Sequence, residues 1–273
     1  MKRNTKLMML GLAALLAVGS AAGLNSKPAQ AAAKTYPALL KVNDYYVLYT
    51  SPKAPYVDKQ SRIMIPLRSI SELLGAKVSY DAKSKTATIS LNGKTVQFTI
   101  GSKTVTVDGS AAQMDTVPVL DKDSLFIPVS VLSKHLGIKS NIDPQTKIYS
   151  MTGDNLMKTD MIKYALEDAE TGAMIAPPGK IASNDAFAPV SYTYDDKKDS
   201  FTIKAKNITG ADVPAGEADV AAYILTDAGA QFLSPKRERP DVKKDGIVTE
   251  SIQNGAIGED VNYLLVKGRL LDR

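Results

Sequence analysis

The sequence predicts an α+β fold in two parts: an N-terminal domain of two repeats, each combining antiparallel strands with a short helix, and a C-terminal antiparallel, sandwich-like β-rich domain. Three observations carry this. A stretch beginning at Ile63 recurs 62 residues later. Within each copy the apolar period passes from strand to helix and back. From about residue 188 a period of two dominates, broken by turn-rich separators. The expected organisation is a leader over residues 1–33, a repeat domain over 36–151, a helix-containing linker over 152–187 and a β-rich domain over 188–273.

The leader reads as a secretory signal. Lys2, Arg3 and Lys6 precede the apolar run Leu7–Val18, which only Gly11 interrupts. Ala29-Gln30-Ala31 and Ala31-Ala32-Ala33 are small-x-small patterns, which makes Ala31 and Ala33 the candidate cleavage positions. The apolar run is shorter than the roughly 20 residues a spanning helix needs. No cysteine follows it, so a lipoprotein anchor is excluded. The mature protein is expected outside the cytoplasm, secreted or associated with the cell wall, with no stable membrane anchor after cleavage.

Cleavage changes the charge balance. Residues 1–31 hold four basic side chains (Lys2, Arg3, Lys6, Lys27) and no acidic one. Taking these four from the 34 basic residues leaves 30 against 29 acidic, a net charge of about +1 rather than +5. No whole-molecule electrostatic case for nucleic acid survives. Cysteine is absent, which excludes thiol catalysis, thiolate metal sites and disulfides; an exported chain of this kind fits a Gram-positive exterior.

Each repeat unit can be read physically. Ile63–Asp81 aligns with Leu125–Asp143, with Ile65/Ile127, Pro66/Pro128, Ser71/Ser133, Leu74/Leu136, Gly75/Gly137, Lys77/Lys139 and Asp81/Asp143 identical. Upstream, Asp58-Lys59 matches Asp121-Lys122 with a one-residue slip. A short β run leads to Pro66, whose fixed φ suits a helix start. Leu67, Ile70, Leu73 and Leu74 form one helical face, and Gly75 ends it. Lys77–Tyr80 and Thr86–Leu91 make a strand pair, and Asn92-Gly93 and Asp108-Gly109 mark further hairpins.

This pattern resembles the copper amine oxidase N-terminal domain family, also called the stalk domain, common in secreted proteins of Gram-positive bacteria. The resemblance is carried by IPLRSISELLGAKVSYD, NGKTVQFTIGSKTVTVDG and FIPVSVLSKHLGI, and it covers roughly Lys41 to Met151. The second copy departs from the pattern: Ser130 replaces Arg68, and Asn141-Ile142 replaces Ser79-Tyr80. The resemblance implies an accessory module, not an activity. In amine oxidases the quinone cofactor and the three-histidine copper site lie in a separate catalytic domain. This chain has one histidine, so neither that activity nor a cofactor is expected.

In the linker, Thr152 or Asp154 caps a helix whose face is Leu156, Met157, Met161, Ile162, Ala165 and Leu166. Beyond it, Val190–Tyr194, Phe201–Lys206, Val220–Leu225, Ile247–Ile252 and Tyr263–Lys267 are expected strands. Lys236–Asp245 reads as a solvated charged loop.

Catalytic patterns are tested one by one. His135 takes the helix position of Leu73 and reads as structural, and no G-x-S-x-G elbow stands near it. Gly179-Lys180 lacks both the earlier glycine, which is Met174, and the following Ser/Thr, which is Ile181, so it is no phosphate loop. Asp195, Asp196 and Asp199 cluster in a turn, where Asp is favoured for turn chemistry. No catalytic residue or metal ligand is assigned. Tyr45, Tyr46 and Tyr49, with Arg68, are the candidate binding surface, the rings for stacking on sugar and Arg68 for an anionic polymer. The expected role is a non-catalytic cell-envelope binding or scaffolding protein, with cell-wall polymer or an envelope protein as partner. The rivals are a secreted hydrolase with a carboxylate site in the C-terminal half, and a regulator or inhibitor of a partner protein.

Overall fold

Two sequence stretches that match each other also pair with each other. A computed structural model describes residues 36–159, 162–163, 179–195, 197–227, 229–232, 238–253 and 260–272. In the first copy, β5 (Ile63–Pro66) runs into α1 (Leu67–Leu73) and the hairpin β6 (Lys77–Asp81) and β7 (Thr86–Leu91). In the second, β12 (Ser124–Pro128) runs into α2 (Ser130–Leu136), β13 (Lys139–Ile142) and β14 (Tyr149–Thr152). β5 and β12 pair antiparallel with Ile65 opposite Ile127, Met64 opposite Pro128 and Pro66 opposite Phe126. Because residue 65 matches 127 in the repeat, a local two-fold axis passes through the Ile65–Ile127 pair.

The helices start and stop as expected. Pro66 precedes α1, and Gly137, at φ 70°, ends α2 in the left-handed region that favours glycine. The hairpin signals hold as well: Asn92 and Gly93 sit at φ 53° and 78°, Asp108 and Gly109 at 48° and 85°, as a two-residue turn of mirror-image type requires. β7, β8 (Lys94–Thr99), β9 (Thr104–Val107) and β10 (Ser110–Gln113) continue from β6 into one five-stranded sheet. A second five-stranded sheet has the order β1-β4-β5-β12-β11, with β1 Tyr36–Pro37, β4 Tyr56–Val57 and β11 Val119–Asp121.

The largest sheet joins the two halves of the chain. Its path is β13-β14-β2-β3-β21-β18-β19, with β2 Leu40–Val42, β3 Tyr45–Thr50, β18 Ala218–Thr226, β19 Gly229–Phe232 and β21 Tyr263–Asp272; β15 (Lys180–Ser183) pairs with the far end of β21. β14 and β2 are parallel, while β3 and β21 are antiparallel. β16 (Phe187–Asp195), β17 (Ser200–Asn207) and β20 (Ile247–Gln253) form a separate three-stranded sheet. The described residues are therefore strand-rich, with the short helices α1 and α2, and all five strands expected after residue 188 are present. The sequence reading separates the halves near residue 188. In the structure β3 from one half is hydrogen-bonded to β21 from the other, and Lys34–Arg273 is one compact unit.

Apolar side chains explain this arrangement. Along β18 every residue is buried, so both faces of the strand must be covered. Tyr223, Leu225 and Leu265 face the core beneath α1 and α2, while Ile224, Leu264 and Val266 face the core shared with β16, β17 and β20. Leu156, Met157 and Ile162 of the expected linker helix are buried in the first of these cores; Met161, Ala165 and Leu166 lie outside the described residues, as do Ala31 and Ala33. Among the described residues no helix is long and apolar enough to cross a membrane.

Where β21 meets β16, only glycine fits. A Cβ at Gly268 would lie 1.8 Å from the Phe187 carbonyl oxygen, and the Gly268 carbonyl accepts from the Ala186 N–H at 2.7 Å. Gly268→Ala must push the two strands apart and is expected to cost at least ~3 kcal/mol. Ile65→Ala and Ile127→Ala each open a cavity at the two-fold contact, at a cost of ~2–5 kcal/mol, with the pair non-additive. Chemical denaturation of the four variants, including the double one, checks both statements; an unchanged midpoint for Gly268→Ala contradicts the first.

Candidate functional site

The four residues singled out as a binding surface are not brought together. Tyr45 packs edge-on against Tyr223 with centroids 5.7 Å apart, and the Lys267 ammonium stands 4.3 Å from its ring centroid. Tyr46 is 2% exposed, on the opposite face; its hydroxyl donates to Asp185 at 2.8 Å, and Lys41 pairs with the same carboxylate at 2.8 Å. Burial, then the Asp185 charge, holds the Tyr46 hydroxyl far above the usual range. Tyr49 packs against Tyr194 and Phe201. Leu48 is an extra residue in the register opposite Leu264 and Leu265, and this bulge turns Tyr49 to the same core as Tyr46. The three rings serve packing on two sides of a buried strand.

Arg68 has a different setting. It projects from α1 with its side chain 65% exposed and forms an i,i+4 ion pair with Glu72 at 3.8 Å, a weak surface interaction. Arg68 lines a groove of about 460 Å³ between α1, β6 and the β11–β12 hairpin. The groove floor is apolar, with Leu67, Val78, Ala87, Ile100 and Leu125; Ser51, Ser69, Ser79, Ser124 and Asp123 supply polar groups. Tyr80 and Leu120 stand on its two walls, 48% and 57% exposed. Tyr80 lies opposite Ala87 in the β6–β7 register, which directs its ring to the groove side of the sheet.

The groove is held in shape from several directions. The Ser69 hydroxyl donates to the Ser51 carbonyl at 2.9 Å, and Lys53 forms an ion pair with Asp121 at the end of β11. From the C-terminal half, the Tyr263 hydroxyl donates to the Ser69 carbonyl at 3.0 Å. Burial, then the Glu72 charge, pushes the Tyr263 ionisation up to about 12, so it remains a donor at physiological pH. On the other side of β6, a shallower depression of about 480 Å³ shares Ser79 and Tyr80 and is lined by Thr86, Thr88 and Gln97. This second surface is the hydroxyl-rich outer face of the sheet, where Thr86 and Thr99 bond across strands at 3.3 Å.

The C-terminal carboxylates are engaged structurally. Asp195 accepts from the backbone N–H groups of Lys197 and Lys198 at 3.1 and 3.2 Å, and Asp199 accepts from the Tyr194 hydroxyl at 2.7 Å. Asp219 is fully buried and takes Arg239 at 2.9 Å on one oxygen and Arg269 at 2.6 Å on the other. Arg239 belongs to the loop expected to be solvated, yet its side chain is only 8% exposed. The loop's arginine is drawn inward because a buried carboxylate flanked by one guanidinium still has lone pairs to satisfy. Asn207, at the end of β17, is engaged in the same way. It is fully buried, with its amide donating to the carbonyls of Ala211, Val242 and Lys243 at 2.8, 3.3 and 3.0 Å.

Two outcomes follow from these contacts. Asp219→Ala strands two buried guanidinium groups and is expected to cost ~3–5 kcal/mol, measured by denaturant midpoint; a loss under 1 kcal/mol contradicts the buried pairing. Backbone hydrogen bonding from Lys198 holds the Asp195 carboxyl below its ordinary range. Its contribution to stability is then present above the unfolded value near ~3.9 and lost as pH falls through the lower folded value. Carboxyl NMR titration is expected to give a midpoint below ~3.9, whereas a raised midpoint would point to an acid catalyst.

Residues 41–151 match the family model described as the copper amine oxidase N-terminal domain. No curated protein matches the chain. The family's name carries copper, but the donor set here does not fit such a centre: the sole histidine, His135, is half-buried on α2, and among the described residues no three His, Asp or Glu side chains gather as metal ligands. Over residues 41–151 the chain carries a domain that matches the copper amine oxidase N-terminal domain model.

Proposed function

We propose that this is an exported, non-catalytic binding or scaffolding protein of the cell envelope, and that the α1–β6–β11 groove is its contact surface. The single observation that carries the reading is the make-up of that groove. It combines a wide apolar floor, exposed Tyr80 and Leu120, and one exposed cation, Arg68, on a frame braced by Ser69, Lys53 and Tyr263. Such a surface suits docking of another molecule. The signal-like leader gives the extracytoplasmic setting, and the accessory nature of the matched domain agrees with a supporting role.

The carboxylate-hydrolase reading has less behind it. Asp195 is committed to a turn, and Asp219 to two arginines. A regulator acting through the 236–245 loop is also less favoured, since Arg239 points inward and Val242 pairs with Val213.

The test is retention of the chain from Lys34 to Arg273 on washed cell-envelope preparations. Arg68→Glu combined with Tyr80→Ala is expected to reduce retention at least tenfold while leaving the denaturation midpoint within ~0.5 kcal/mol, since both side chains are solvent-facing. Absence of retention together with measurable turnover of a glycan or peptide contradicts the proposal.

A further inference from the structure

The two-fold relation between the repeats exposes a mismatch. The first copy's hairpin pairs Tyr56 with Met64 and Val57 with Ile63; the second pairs Val119 with Phe126 and Leu120 with Leu125. Met64 matches Phe126 and Ile63 matches Leu125, so β4 and β11 are equivalent strands, and the segments Pro55-Tyr-Val-Asp-Lys59 and Pro118-Val-Leu-Asp-Lys122 correspond. Their outer edges are treated differently. β4 is covered by the chain's own β1, with Tyr36 opposite Val57 and Pro37 opposite Tyr56. β11 ends its sheet, and among the described residues no strand pairs with its outer edge.

The covering segment continues past β1. The Ala38 N–H donates to the Pro55 carbonyl at 2.9 Å, and the Leu39 carbonyl then accepts from the Tyr149 N–H at 3.2 Å. Residues 36–39 thus bridge β4 to the start of β14. Under the repeat relation, β14 corresponds to β7 and Tyr149 to Ala87. The matching corridor in the other copy, from β11 to the start of β7, is the groove: Leu120, Ala87 and Ile100 all line it. At the β7 end β8 stands where β2 stands beside β14, with Ala87 paired to Phe98, but at the β11 end no strand among the described residues covers the edge, where Val119 and Leu120 are 39% and 57% exposed.

We infer that the groove takes an extended, apolar segment of a different polypeptide, which pairs with the outer edge of β11 as Tyr36–Pro37 pairs with β4. This deepens the envelope-binding reading and rests on it for the location of the partner. Strand addition of this kind draws affinity from main-chain hydrogen bonds and selects alternate side chains through pockets beside the edge. Here an aliphatic or aromatic residue of the partner would lie beside Leu120 and Tyr80. Each copy of this chain already commits its own Tyr36–Leu39 to β4 and β14, which is why a different polypeptide is the occupant rather than a second copy.

The probe is a synthetic, end-blocked peptide with the sequence of residues Lys34–Leu39, titrated into the isotope-labelled chain from Lys34 to Arg273 and followed by amide NMR. Saturable shifts at Val119, Leu120, Ile100 and Tyr80 are expected, at least tenfold weaker with Leu120→Lys and with Tyr80→Ala, and absent with a scrambled peptide. Shifts confined to β4, equal binding by both variants, or no shifts at millimolar peptide overturn the inference. So does concentration-dependent dimerisation that Leu120→Lys abolishes, or perturbation of these residues by a soluble oligosaccharide but not by the peptide. Retention on envelopes that persists while the peptide fails to bind would sink strand docking alone; peptide binding without envelope retention would sink the envelope setting alone.

Discussion

The antiparallel contact between β3 and β21 is the constraint on which the rest of this structure depends. It sets Leu265 opposite Val47 and Val266 opposite Tyr46, and so places β21 inside the sheet that holds β2 and β3. A strand in that position has no solvent face, and its side chains must divide between two cores. Leu265 and Tyr263 go to the core beneath the helices, and Leu264 and Val266 to the core beneath β17. From the first of these, the Tyr263 hydroxyl reaches Ser69 and steadies the helix that forms one wall of the groove. The C-terminal half thereby braces one wall of the groove.

Symmetry explains the groove's shape, and its imperfection explains why one edge beside the groove differs from its counterpart. The two copies repeat the same hairpin registers, with Tyr80 opposite Ala87 in one and Ile142 opposite Tyr149 in the other. The copies differ at the ends. One edge strand receives β1, and among the described residues no strand pairs with the outer edge of its counterpart. Arg68 and Tyr80 occur only beside the uncovered edge, since Ser130 and Ile142 take their places in the second copy. Two of the side chains by which the copies differ, Arg68 and Tyr80, thus stand beside the edge that no described strand covers.

Much of the local structure was legible in the sequence because its causes are local. Pro66, Gly75 and Gly137 bracket the helices, and Asn92-Gly93 and Asp108-Gly109 set their turns through positive φ. The placement of Tyr45, Tyr46 and Tyr49 was not legible in the same way. Their exposure depends on whether β3 lies at an edge or in the middle of a sheet, and its partner β21 lies over two hundred residues away in the chain. The continuous apolar runs Tyr45–Tyr49 and Val220–Leu225 carried a signal of burial on both faces, which alternation alone could not resolve. Arg239 was hidden for a related reason: a charged loop reads as solvated until the buried Asp219 is seen beside it. Of the candidate surface, Arg68 alone lines the groove, and Leu120, in a short strand with no distinctive composition, was visible only once the repeat became a two-fold axis.

The central claim is that two equivalent strands have unequal edges, one closed by the chain and one open. Amide hydrogen exchange of the free chain tests it most directly, by comparing residues 55–58 with residues 118–121. The account predicts slow exchange at Val57, whose N–H faces β1, and markedly faster exchange at its counterpart Leu120, whose N–H faces the outer edge of β11, while Tyr56 and Val119, facing β5 and β12, serve as the internal reference. Equal protection of the two segments in the free chain would contradict it.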